Sequence, residues 1–135
     1  MGRYDNNLKC AELRRLLSER KYKQAFQVLQ TIDVEKVRMI TDLNAFAEVY
    51  QKAGQYELAK DMLVRVYEKF PSKKVIYKLA CVSILERNFE DAEGFYEDYV
   101  HEAPDSEERY VLRYRLDKAK ELGYAVRIKD LEDLK

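Results

Sequence analysis

Apolar side chains recur at intervals of three and four along most of the chain, the spacing that lines one face of an α-helix. Residues 41–53 read TDLNAFAEVYQKA, with Leu43, Phe46, Ala47 and Tyr50 on one side, and Gly54 follows as a stop. The next stretch repeats the pattern through Tyr56, Ala59, Leu63, Val66 and Phe70, until Pro71 blocks helical continuation. Two amphipathic helices joined by so short a loop predict an antiparallel hairpin.

A second hairpin is predicted directly after it. Ser72 is placed to cap a helix through Ile76, Leu79, Ala80 and Ile84, and Asn88 is expected in the left-handed turn. Phe89, Ala92, Tyr96 and Tyr99 mark the apolar side of the partner helix, which Pro104 closes. Asp105 and Glu108, at the i and i+3 spacing, predict a capping box for a helix reaching about Leu122. Gly123 ends that helix, and residues 125–134 read as the start of another. Ahead of these elements, Leu8, Leu13, Leu16 and Leu17 predict one helix, and Tyr22, Ala25, Phe26 and Leu29 a second. Residues 32–40 fit either a short extra turn or a backward extension of the helix that follows.

The hairpins share a register. Tyr22, Tyr56 and Phe89 recur at a near-constant interval of about 34 residues, as do Ala25, Ala59 and Ala92, and Pro71 and Pro104 fall one such period apart. Recurrence of three residue types at one period is the mark of a helical repeat. The chain resembles the tetratricopeptide repeat family on these residues. Residues 40–73 follow its pattern through Leu43, Phe46, Ala47, Tyr50, Ala59, Leu63 and Pro71. Residues 73–106 follow it through Ile76, Leu79, Ala80, Ala92, Tyr96 and Pro104, with Ser83 where Tyr is usual. The first unit keeps Tyr22 and Ala25 but has Arg14 at a small-residue position and no closing proline, and the last unit is degenerate. The resemblance implies an all-α fold, a right-handed α–α superhelix of three helix pairs plus a degenerate terminal pair. As one domain over 1–135, its units fall at about 8–38, 40–72, 73–105 and 106–135. The physical basis is that a single hairpin cannot bury both of its apolar faces, so neighbours stack.

Composition narrows the function. The chain has 135 residues, with 25 basic and 25 acidic side chains, so no net charge draws it to nucleic acid or an anionic membrane. Four Gly and two Pro leave little room for a hairpin-built sheet. No apolar run approaches the length that spans a bilayer, and the N-terminus lacks the apolar core of a secretory signal, so a soluble, cytoplasmic protein is expected. Cys10 and Cys81 lie far apart in the chain and read as small buried hydrophobes rather than a disulfide or metal pair. His101, the single histidine, falls near a helix end with no nucleophile or orienting partner, and no phosphate loop occurs. No enzyme activity and no cofactor are expected. The helical pattern running up to Lys135 suggests a fragment of a longer protein or a last helix that packs on another chain.

The resemblance implies a protein or peptide ligand, bound along the concave groove lined by the first helix of each pair. Projected from the apolar registers, the groove positions are Arg15, then Asn44 and Glu48, then Lys74, Tyr77, Lys78 and Cys81. Tyr110 and Tyr114 lie one period after Tyr77 and Cys81, with Arg113 nearby. Eleven tyrosines against five phenylalanines and no tryptophan suit a wet groove wall. Some family members clamp a terminal carboxylate. Lys74 and Lys78 resemble part of that clamp, but Ala11, Arg15 and Ala45 do not supply the rest. Two other readings remain: an RNA-binding repeat, from the alternation RYVLRYR at 109–115, and self-association through the terminal helix.

Overall fold

The computed structural model describes residues 3–123 and, from residue 6 onward, their side chains. The described residues form helices and no strand. Two compact units divide the chain, residues 1–69 and 70–135.

The first unit contains α1 (Arg3–Ser18), α2 (Tyr22–Leu29), α3 (Ile40–Lys52) and α4 (Tyr56–Lys69), with a 3-10 turn at Val34–Lys36 before α3. Helix α1 packs on α2 and α3 on α4, while α3 also rests against both earlier helices. Leu13, Ala25, Leu29, Leu43, Phe46, Val49, Ala59 and Val66 form its core. Ala47 and Ala59 are buried, as the close crossing of paired helices requires, and Leu63 is buried with them. Leu8, expected in the core, is instead 54% exposed, because two residues of helix turn it about 200° away from Cys10 and so off the Cys10, Leu13 and Leu16 stripe that packs.

Residues 32–40 resolve as the short extra turn. Ile32 and Val37 are buried, and Arg65 from α4 donates to the carbonyls of Val34 (2.9 Å) and Val37 (2.6 Å). Lys69 Nζ donates to the Arg38 carbonyl at 2.6 Å. Two cations of one helix thus satisfy the irregular backbone that leads into its partner.

The second unit contains α5 (Lys73–Glu86), α6 (Phe89–Glu102) and α7 (Glu108–Leu122). Helix α5 packs on α6, and α7 lies against both. Phe70, expected to finish the apolar face of the preceding helix, is 64% exposed and follows the end of α4. Ser72 caps α5 as expected, accepting from the Lys74 amide at 3.2 Å. The left-handed residue falls at Arg87 (φ 63°), not Asn88, whose side chain instead caps α6 by accepting from the Asp91 amide at 3.1 Å. The expected Asp105–Glu108 capping box is likewise replaced. Ser106 Oγ accepts from the Glu108 amide at 3.2 Å and shares a hydrogen bond with the Tyr99 hydroxyl at 2.8 Å.

One turn geometry joins each hairpin. Arg20, Gly54 and Arg87 all take positive φ, at 59°, 76° and 63°. Their own amides reach back to Leu17, Gln51 and Ile84, and the next amides, of Lys21, Gln55 and Asn88, reach Leu16, Tyr50 and Ser83. That pair of bonds is the Schellman closure, which satisfies carbonyls a helix end would otherwise leave open. Gly123 (φ 75°) ends α7, and the helix expected over 125–134 lies outside the described residues.

Candidate functional site

The first helices of the hairpins carry the projected ligand-facing residues. On α1, Arg15 is exposed and pairs with Glu19 at 2.6 Å. It lines a shallow cleft of about 460 Å³ between α1 and α2, together with Lys9, Glu12, Gln24 and Gln27. The α1 side chain that reaches α3 is its neighbour Arg14, bonded to the buried carboxylate of Asp42. Cys10 lies against this pair. Burial first, and then the Asp42 charge, pushes its thiol up to about 11, with Arg14 opposing, so Cys10 behaves as the expected inert hydrophobe. On α3, Glu48 is exposed, whereas Asn44 is half-buried and its Oδ1 is fully buried without a hydrogen-bond partner.

On α5, Lys74, Tyr77, Lys78 and Cys81 fall within one stripe of the helix at i, i+3, i+4 and i+7. Both lysines are exposed; Tyr77 and Cys81 are partly covered. The Tyr77 ring meets Tyr99 of α6 edge-on, centroids 5.5 Å apart. Burial raises the Tyr77 phenol above its ordinary value, with the Cys81 and Glu108 charges adding and Arg115 opposing. Burial also raises the Cys81 thiol, against the pull of Arg115.

Helix α7 sits in a different register from the one projected. Its buried stripe is Leu112, Arg115, Leu116 and Ala119, which aligns with the buried Ile76, Leu79, Ala80 and Ser83 of α5. The connection between α6 and α7 is therefore longer, by three positions, than the repeat period requires. Tyr110 and Tyr114 correspond to Lys74 and Lys78 rather than to Tyr77 and Cys81.

Tyr110 is 63% exposed, with the Arg109 guanidinium stacked over its ring at 4.6 Å. Tyr114 is half-buried under Lys118, whose Nζ is 5.8 Å from the ring centre. Arg113 turns toward α6. It grips Glu93 with two bonds of 2.8 and 2.7 Å, bonds Asp117, and lies 4.7 Å over the Tyr96 ring. Lys120 bonds the same Glu93. The Arg113 hydrogen bonds hold Glu93 at about 2, well below the usual carboxylate range, Lys120 adding and partial burial opposing. This cluster staples α6 to α7. Two of the three arginines in RYVLRYR are thus engaged inside the unit, Arg113 by carboxylates and Arg115 by burial, which leaves little of the basic surface an RNA ligand needs.

Sequence reasoning missed Arg115. Its residue is 6% exposed, its Nη1 lies 3.1 Å from Cys81 Sγ, and its Nε has no hydrogen-bond partner. One signal existed: a lone cation inside the apolar stripe Leu112, Leu116, Ala119.

Short helices, paired through Schellman turns that recur at about 34 residues, define the class of helical-hairpin repeat proteins. Within it, the tetratricopeptide repeat family matches residues 46–73, from the middle of α3 through α4 to the start of α5. Residues 46–73 are thus similar to a tetratricopeptide repeat, and the described residues form an all-helical fold consistent with an array of that type. No curated protein matches the chain.

Proposed function

We propose that this protein is a non-catalytic, cytoplasmic scaffold that binds a protein or peptide along the first helices of its hairpins. The observation that carries the reading is the solvent-facing stripe of α5. Lys74 and Lys78 have no ion-pair partner among the described residues, and Tyr77 and Cys81 are only partly covered between them. An aromatic ring flanked by unengaged cations is surface the fold does not use for itself. The ligand-facing set comprises Arg15, Asn44, Glu48, Lys74, Tyr77, Lys78, Cys81, Tyr110 and Tyr114. Arg113 is dropped from it, since Glu93 and Asp117 occupy its guanidinium.

The test is a peptide selected by display against the whole protein. A combined Lys74→Glu, Tyr77→Phe, Lys78→Glu variant keeps the ring against Tyr99 while inverting the charge. Binding is expected to weaken by at least about ten-fold, a loss of about 1.4 kcal/mol, with the melting temperature unchanged. Unaltered binding puts the interface elsewhere.

A further inference from the structure

Each earlier first helix places an apolar side chain where α7 places Arg115. The equivalent residues are Leu13 of α1, Phe46 of α3 and Leu79 of α5, all buried. A guanidinium at a core position is normally matched by a carboxylate, because a buried charge without one is strongly destabilising. Arg115 has none among the described residues. Its Nη1 donates to the Cys81 thiol, which is uncharged at neutral pH, the half-buried Tyr77 phenol lies nearby, and its Nε is buried and unpartnered. The acidic group felt at this seam is Glu108, but that side chain approaches the Tyr99 hydroxyl at 3.5 Å instead.

The seam is open on one side. Cys81, against which Arg115 rests, is only partly covered, and Tyr77 beside it is half-buried. From this opening the α5 stripe continues to Lys78 and Lys74, neither of them in an ion pair among the described residues. Arg115 thus meets Cys81 and Tyr77 between α5 and α7 without a carboxylate paired to it, while Lys78 and Lys74 stand exposed and without an ion pair further along the same α5 stripe, among the described residues. We infer that Arg115 is the floor of a carboxylate-binding site, and that the partner presents an acidic side chain to the opening between Tyr77 and Cys81. The inference rests on the partner-binding reading above and names the chemistry of the partner: an acidic peptide, with Lys78 and Lys74 receiving flanking carboxylates. Arg and carboxylate form strong, directional hydrogen bonds, and Arg115 is held in place by packing before the ligand arrives, so little side-chain freedom is lost on binding.

The experiment uses the whole chain and an N-acetylated, amidated decapeptide of alternating Glu and Leu, with its Gln counterpart and oligouridylate as comparisons. The Arg115 Nε–Hε resonance, assigned by its loss in Arg115→Leu, reports on the site directly. The Glu peptide is expected to shift that resonance and to bind at least about ten-fold more tightly than the Gln peptide. Arg115→Leu, which restores the residue type of the other first helices, is expected to erase the difference while the melting temperature stays level or rises. Lys78→Gln, on the surface, is expected to weaken the Glu peptide alone by about three-fold, as loss of one exposed charge contact does. Equal affinity for the two peptides, or an unmoved Arg115 resonance, overturns the carboxylate site and leaves the scaffold reading standing. An Arg115→Leu variant that melts well below wild type yet still prefers the Glu peptide overturns it as well, by making Arg115 structural. A shift produced by oligouridylate and not by the peptide overturns both readings.

Discussion

Three residues in left-handed geometry, Arg20, Gly54 and Arg87, decide where the hairpins turn, and only one of them is the residue best suited to it. A side chain at positive φ crowds its own carbonyl, at a cost on the order of 1 kcal/mol that glycine avoids. Gly94 shows the reverse misfit. It lies in the middle of α6, and a Cβ added there meets nothing within 4 Å. Arg87→Gly and Gly94→Ala are therefore each expected to stabilise the protein, by about 0.5–1 kcal/mol, in urea melts of the single variants. Destabilisation by Gly94→Ala means that the α6 surface is not open there.

Glu93 supplies a pH dependence at the same scale. Its carboxyl is held at about 2 in the folded protein against an ordinary 4.5, so the unfolded chain binds the proton first. Stability from this group is complete above about 4.5 and is lost as pH falls toward 2. The cluster is partly exposed, so its worth is about 1 kcal/mol rather than the full shift. Glu93→Gln is expected to be less stable than wild type by about that amount at pH 6, with the gap closing by pH 2–3. A gap independent of pH assigns the loss to packing.

Among the elements, the crossing from α2 to α3 is the least regular, and α4 holds it. Arg65 reaches two carbonyls of residues 32–39, and Lys69 reaches a third. Arg65→Met keeps the stem and removes both bonds. It is expected to cost about 1.5–3 kcal/mol and to speed amide exchange across Ile32–Met39 before the helices loosen. Unchanged exchange in that segment shows that Ile32 and Val37 hold it without help.

At the scale of the whole molecule, helix existence and hairpin order were legible from the sequence, and the interactions between elements were much less so. The three-and-four spacing marks which face of α3 or α5 is apolar, and Gly54, Pro71 and Ser72 mark where helices stop and start. What long polar side chains touch depends on which neighbour folds beside them, so Arg65, the Arg14–Asp42 pair and Arg113–Glu93 carried no local signal. The α7 register was misjudged because similar tyrosines, Tyr77 and Tyr110, coincide at the repeat period, while the connection before α7 is three positions longer. Arg115 then looked like one more basic residue in RYVLRYR instead of a cation inside a core stripe.

The central claim is that the first helices of the hairpins, not the second, receive the partner. Hydrogen exchange of the whole protein with and without a selected peptide tests it most directly. Bound peptide is expected to slow exchange in α5 and α7 first, with α1 or α3 following, and to leave α2, α4 and α6 unchanged. Protection confined to α4 or α6 contradicts the account.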